Sequence, residues 1–199
     1  MRNAEATQER ILRAAMAEFS AHGVAGARVD RIAAAAGCNK NLIYIYFGSK
    51  EALFTALLEQ NLLRVYKELA FSPEDLPGFA TRVFDFAMAN PELMRLMAWS
   101  SLEQTAGVSA TRAAAHSAKV AALDQVQSEA RAAGRTGPVF PANFLLTAVM
   151  TLAAAWTATN PFGPSVDPES ALHPAELRES IAAAVELISN AGPKRTEEG

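Results

Sequence analysis

The sequence has few of the residues that build disulfides or metal sites. Its 199 residues include one cysteine, Cys38, so no disulfide can form within the chain. The three histidines, His22, His116 and His173, do not stand with Cys38 at the spacing of a metal-ligand cluster. We therefore expect no metal, no cofactor and a reducing, cytoplasmic environment.

Long hydrophobic runs and high charge are also missing. The longest apolar run has 13 residues, from Phe144 to Trp156, which is shorter than the roughly 20 residues that a membrane-spanning helix needs. The first ten residues are polar, whereas a secretory signal peptide has an apolar stretch there. Charged residues make up 20% and apolar residues 50% of the chain, which excludes a disordered protein. We expect one or two compact domains, outside the membrane and not secreted.

The net charge of −3 is unevenly distributed. Residues 1–50 carry seven basic and four acidic side chains, a net charge of +3, whereas residues 51–199 carry 11 basic and 17 acidic side chains, a net charge of −6. A basic head on an acidic body indicates a polyanionic partner at the N-terminal end only.

Apolar residues recur at helical spacing in nearly every segment, which predicts an all-α fold of about nine helices. Glycine, proline and capping residues place the helix ends. The predicted helices are at about 5–21, 29–36, 40–47, 50–70, 76–89, 91–106, 109–133, 142–159 and 174–190. There is no glycine-rich phosphate loop, nucleophile elbow or His/Glu metal pair, so we expect no enzymatic activity.

Two short predicted helices, 29–36 and 40–47, are joined by a tight turn that contains Gly37, an arrangement typical of a helix-turn-helix. The second helix offers polar or amphipathic groups that suit base edges and phosphates, and a lysine follows it. These residues are Lys40, Asn41, Tyr44, Tyr46 and Lys50. On spacing alone, a small helical bundle whose tyrosines only pack is an equal alternative.

The segment IAAAAGCNKNLIYIYFGSKEAL, from Ile32 to Leu53, resembles the signature of the TetR family of bacterial transcriptional regulators. The resemblance covers residues 8–58 and includes the turn, the aromatic pair and the Lys-Glu element at matching offsets. It implies that Tyr44, Tyr46 and Lys50 contact phosphates. It also implies base or groove contacts from Lys40, Asn41, Leu42 and Ile45. Arg28 replaces a family threonine, so it is expected to reach phosphate while its role as a helix cap is open.

The family resemblance also implies a homodimer, a palindromic operator in double-stranded DNA and a small-molecule effector. We assign the DNA-binding domain to residues 1–50, a ligand-binding and dimerisation domain to 51–192 and a flexible tail to 193–199. The predicted helices 142–159 and 174–190 each carry a stripe of small or apolar residues. The two stripes are expected to form a four-helix dimer interface, although both stripes also fit a core within one chain. The stripes are Ala148, Leu152, Ala155 and Thr159, and Leu177, Ile181, Ala184, Val185 and Ile188.

The middle helices are rich in methionine and aromatic residues, which suit a cavity for an apolar or aromatic effector but are more often plain core. The family resemblance implies that these helices enclose an effector site. The predicted ligand-binding residues are Phe84, Met88, Met97, Trp99, His116 and Phe144. His116 and Glu103 are candidates to orient a polar end of the ligand. We expect a repressor that the effector releases from its operator. The alternative is an architectural DNA-binding protein that needs no effector.

Overall fold

The computed structural model describes residues 2–103, 110–134, 140–169 and 173–190, and within these ranges all regular structure is helical. The described residues form ten helices: α1 (Arg2–Gly26), α2 (Val29–Ala36), α3 (Lys40–Phe47), α4 (Lys50–Glu68), α5 (Leu76–Ala89), α6 (Pro91–Glu103), α7 (Ala110–Ala132), α8 (Ala142–Ala153), α9 (Gly163–Val166) and α10 (Pro174–Asn190). The all-α prediction is confirmed, with α9 as an additional short helix. Among these helices, none is long and apolar enough to cross a membrane.

The chain forms two compact units, each made of two sequence segments. Unit 1 comprises residues 1–67 and 90–112, and unit 2 comprises residues 68–89 and 113–199. The predicted functional boundary at residue 50 stays a prediction. The predicted tail, 193–199, lies outside the described residues.

The core of unit 1 is built from α1, α2, α3, α4 and α6. Phe19 of α1 packs edge-on against Phe54 of α4, with 5.2 Å between ring centroids. Ile32 of α2 and Ile43 of α3 are fully buried in the same unit. Because a buried isoleucine anchors each of the two short helices, both helices are held firmly against the core of unit 1.

The long first helix is interrupted near its end, where the sequence places His22 and Gly23. Gly23 has φ 66° and ψ −176°, a conformation essentially restricted to glycine. The chain then makes one more helical turn and leaves α1 at Gly26. Gly23 therefore separates the long helix from the segment that enters α2.

The core of unit 2 is formed by α5, α8 and α10, with Leu123 contributed by α7. Leu177, Ile181 and Val185 of α10 are buried inside this core. Their use as a dimer-interface stripe is therefore wrong. They form the within-chain core that was the alternative, because helical periodicity identifies a buried face without showing which partner buries it.

The helix predicted at 142–159 ends at Ala153, and residues 154–159 form turns. The Thr157 hydroxyl donates to the Ala154 carbonyl at 2.8 Å, a local bond that competes with helical pairing. Gly163 lies against the Ala155 carbonyl, where no side chain has room. Ala155 and Thr159 therefore do not continue a stripe on α8.

Candidate nucleic-acid interface

The turn between α2 and α3 has the geometry of a tight helix-turn-helix. Gly37 adopts the left-handed conformation, φ 62° and ψ 43°, and ends α2. The Cys38 N–H donates to the Ala33 carbonyl at 3.0 Å. Asn39 begins α3, and its side-chain oxygen accepts the Asn41 backbone N–H at 2.9 Å. These bonds pair some of the free backbone groups at the end of α2 and at the start of α3, and they fix the direction of α3.

Helix α3 packs through one face and presents the other to solvent. Ile43 is fully buried and Leu42 is half-buried, whereas Asn41, Tyr44 and Ile45 are exposed. Ile45 is 72% exposed, which is unusual for a large apolar side chain. The exposed face thus offers an amide, a phenol and a branched alkyl group to an external partner.

Lys40 is exposed but already has an anionic neighbour. Its Nζ lies 2.9 Å from Oδ1 of Asp30, which is on the first turn of α2. The hydrogen bond that Lys40 donates to Asp30, together with the negative charge of that carboxylate, raises the pKa of Lys40. Asp30 was not among the predicted site residues, because it is ten positions from Lys40 and on a different helix.

Arg28 precedes α2, and its side chain does not cap that helix. Its backbone N–H instead donates to Oε1 of Glu18 at 2.7 Å, and the residue is exposed. Glu18 also accepts from Nε of Arg31 at 2.8 Å. Burial raises the pKa of Glu18, but the bonds from Arg31 and the Arg28 N–H outweigh it and place the pKa below its ordinary value. Glu18 therefore fixes the approach of the chain to α2.

Lys50 and Tyr46 lie beside this face. The Lys50 ammonium donates to the carbonyls of Ala27 at 3.1 Å and Ala25 at 3.4 Å, so it stabilises the segment after α1. Tyr46 is half-buried, and its ring packs edge-on against Phe47 with 6.5 Å between centroids. The phosphate contacts that the resemblance implies for Arg28, Tyr44, Tyr46 and Lys50 stay predictions.

Two residues that were candidates for ligand binding contact the end of α1. Oε2 of Glu103 accepts the Val24 N–H at 3.0 Å. Nε1 of Trp99 donates to the Ser20 carbonyl at 3.3 Å. We call the contacts of Glu103 and Trp99 with residues 20–25 the α6 clamp. The ligand-orienting role of Glu103 and ligand binding by Met97 and Trp99 stay predictions.

The other predicted ligand residues belong to unit 2 and do not all lie together. Phe84 and Met88 line a cavity of about 40 Å³ with Trp156 and Leu177. The Trp156 indole N–H is buried and has no hydrogen-bond acceptor among the described residues.

The remaining two predicted ligand residues lie elsewhere in unit 2. Phe144 does not line the cavity of Phe84 and Met88, is 52% exposed and stacks on Phe140 with 4.9 Å between ring centroids. His116 is half-buried on α7, where burial lowers the pKa of the nearby Lys119. Ligand binding by Phe144 and His116 stays a prediction.

The outward faces of α8 and α10 carry apolar and small residues. Phe144 and Thr147 are exposed on α8, and Ala183 and Leu187 are exposed on α10. Leu187 is 73% exposed. The two helices are neighbours in unit 2.

Comparisons with known proteins give consistent matches along the chain. The family model "Bacterial regulatory proteins, tetR family" matches residues 11–57. The family model "Tetracyclin repressor-like, C-terminal domain" matches residues 75–186. The first match contains the helix-turn-helix, and the second covers more than half of the chain.

Individual relatives support the same grouping. The HTH-type transcriptional repressor SCO4008 of Streptomyces coelicolor is 48% identical over 102 residues, which are 51% of this chain and 53% of the relative. The HTH-type transcriptional repressor NicS of Pseudomonas putida is 33% identical over 108 residues, 51% of each chain. The chain thus spans about half the length of these curated relatives. The crystal structure of SCO4942 from Streptomyces coelicolor superposes with a TM-score of 0.74 at 32% identity, covering 90% of this chain and 96% of that one.

Proposed function

The chain belongs to the TetR family of bacterial regulatory proteins, and we propose that it is a transcriptional repressor that binds a palindromic operator as a homodimer. The observation that carries the proposal is the exposed face of α3, held by the Asn39 cap and the buried Ile43. A helix presented in this way fits the major groove of B-DNA. The proposal places the protein in the cytoplasm and assigns it no catalytic step.

The test is selection of bound duplexes from a random pool at two salt concentrations. We expect a palindrome whose half-sites lie about 34–36 Å apart, or a multiple of that distance, and an affinity that falls steeply with salt. Tyr44→Phe is expected to weaken binding to all duplexes about equally, because a hydroxyl on a phosphate carries no sequence information. Recovery of no motif at either salt concentration contradicts the proposal.

We propose that the dimer forms through the outward faces of α8 and α10. The inward stripe is already buried within the protomer, whereas Phe144 and Leu187 are large apolar residues left exposed. Leu187→Glu is expected to shift the protein toward monomer in analytical ultracentrifugation. Leu63→Glu is the matched control, since Leu63 is 61% exposed on α4, outside this face. Equal effects of both substitutions would contradict the assignment.

We propose that an apolar or aromatic effector binds in unit 2, where Phe84, Met88 and Trp156 meet. The unpartnered indole N–H of Trp156 favours a ligand with one hydrogen-bond acceptor. The cavity of about 40 Å³ must open to admit such a molecule, because ligand pockets are typically about 300–1,000 Å³. Compounds that release the operator from the wild type and not from Met88→Trp would support the site. If no compound in a broad apolar library releases DNA, the effector-independent architectural protein is favoured.

A further inference from the structure

Helix α3 presents two different base-reading chemistries on one exposed face. Asn41 and Ile45 are four residues apart, so their side chains lie on the same side of the helix. The Asn41 backbone N–H is used in the Asn39 cap, while its side-chain amide makes no hydrogen bond to the described residues. Ile45 is 72% exposed and has no packing role that explains its size.

The neighbouring residues of α3 are less suited to reading bases. Lysine usually reads guanine through O6 and N7, but Nζ of Lys40 lies 2.9 Å from the Asp30 carboxylate. Leu42 is half-buried against the protein. The groups on the exposed face that suit base reading are therefore the Asn41 amide and the Ile45 alkyl group.

Each of these two groups has a preferred base. A side-chain amide pairs in bidentate fashion with N6 and N7 of adenine, and an apolar side chain contacts the C5 methyl group of thymine. Four residues of helix span about 6 Å, and stacked base pairs are about 3.4 Å apart. The two side chains therefore reach bases no more than about two steps apart.

We infer that each operator half-site contains an adenine read by Asn41 and a thymine read by Ile45, within two base-pair steps of each other. This inference rests on the proposed function, since it assumes that α3 enters the major groove. It names the sequence class of the DNA: half-sites with A·T rather than G·C pairs at the positions that Asn41 and Ile45 read.

The experiment uses the full-length protein and the selected palindrome with single-atom changes in one half-site. Uracil in place of the thymine removes only the methyl group, and 7-deazaadenine in place of the adenine removes only the N7 acceptor. For the wild type we expect uracil to weaken binding about fourfold, the value of one buried methyl-sized group. We expect 7-deazaadenine to weaken it about fivefold or more.

The variants assign each base to one side chain. Ile45→Ala is expected to bind the thymine and uracil duplexes equally, and Asn41→Ala to bind the adenine and 7-deazaadenine duplexes equally. Tyr44→Phe is the matched control on the same face, and it should keep both base dependences of the wild type. All three positions are exposed, and circular dichroism checks that each variant is folded.

The outcomes separate the two proposals. A selected palindrome that tolerates both base replacements, or that has G·C pairs at the sensitive positions, overturns the base assignment and leaves the repressor function standing. A base dependence that persists unchanged in Asn41→Ala and Ile45→Ala also overturns it. Failure to select any motif refutes the repressor function, and the base assignment with it.

Discussion

Replacing Gly23 by alanine tests the α6 clamp. The conformation of Gly23, φ 66° and ψ −176°, costs a residue with a side chain about 1–3 kcal/mol. A Cβ at this position would also lie 2.9 Å from Cε3 of Trp99 and would collide with Oε1 of Glu103. Overpacking of a filled site adds about 1–3 kcal/mol. We therefore expect Gly23→Ala to lower the free energy of unfolding by about 2–6 kcal/mol.

Gly37→Ala is the matched control for this measurement. Gly37 also has a positive φ, 62°, but a Cβ there would meet nothing within 4 Å. Its replacement by alanine should lower the free energy of unfolding only by the cost of the left-handed backbone conformation, about 1–2 kcal/mol. Urea unfolding followed by circular dichroism and tryptophan fluorescence, at one fixed protein concentration, measures both variants. If Gly23→Ala loses no more stability than Gly37→Ala, the clamp does not resist displacement and the reasoning is refuted.

Three further predictions concern charge and assembly. Asp30→Asn should free the ammonium of Lys40 for a phosphate, raising affinity for random DNA and steepening the slope of log affinity against log salt by about one; an unchanged slope in fluorescence anisotropy would exclude this role. The pKa of Glu18 is lowered in the folded state, so the stability that the ionised group contributes is present above its ordinary value of 4.5 and is lost as the pH falls through the folded-state pKa. Glu18→Gln should therefore be less stable than the wild type at pH 7, with a gap that narrows below pH 4.5; a gap independent of pH would contradict the assignment. Leu187→Glu should also weaken operator binding more at low than at high protein concentration, because a monomer binds one half-site only; a loss independent of concentration would argue against dimerisation through α10.

The helix-turn-helix was predictable because its signals are local. Gly37 ends α2, Asn39 caps α3, and the helices have the predicted bounds of 29–36 and 40–47. The end of α8 was not predictable in this way. An alanine-rich continuation favours helix, whereas the observed end depends on the Thr157 hydroxyl and on Gly163 packing against the chain.

The candidate site was predictable where it depends on helix position and not where it depends on distant partners. Exposure of Asn41 and Ile45 follows from the face opposite the buried Ile43. The ion pair of Lys40 and the bonds of Glu18 join residues at least ten positions apart, and charge patterning along the chain does not specify such pairs. Periodicity likewise identified the apolar face of α10 but not the partner that covers it.

The α6 clamp also bears on how this protein can be recombined with its relatives. Unit 1 is assembled from two stretches of sequence, so a graft that transfers only residues 1–67 leaves α6 behind. The transplanted head would then lose the carboxylate that accepts the Val24 N–H and the indole that covers Gly23. A chimera that exchanges residues 90–103 together with residues 1–67 preserves these contacts. The smallest transferable unit that keeps the α6 clamp is therefore discontinuous in sequence, because α6 lies far from α2 and α3 along the chain.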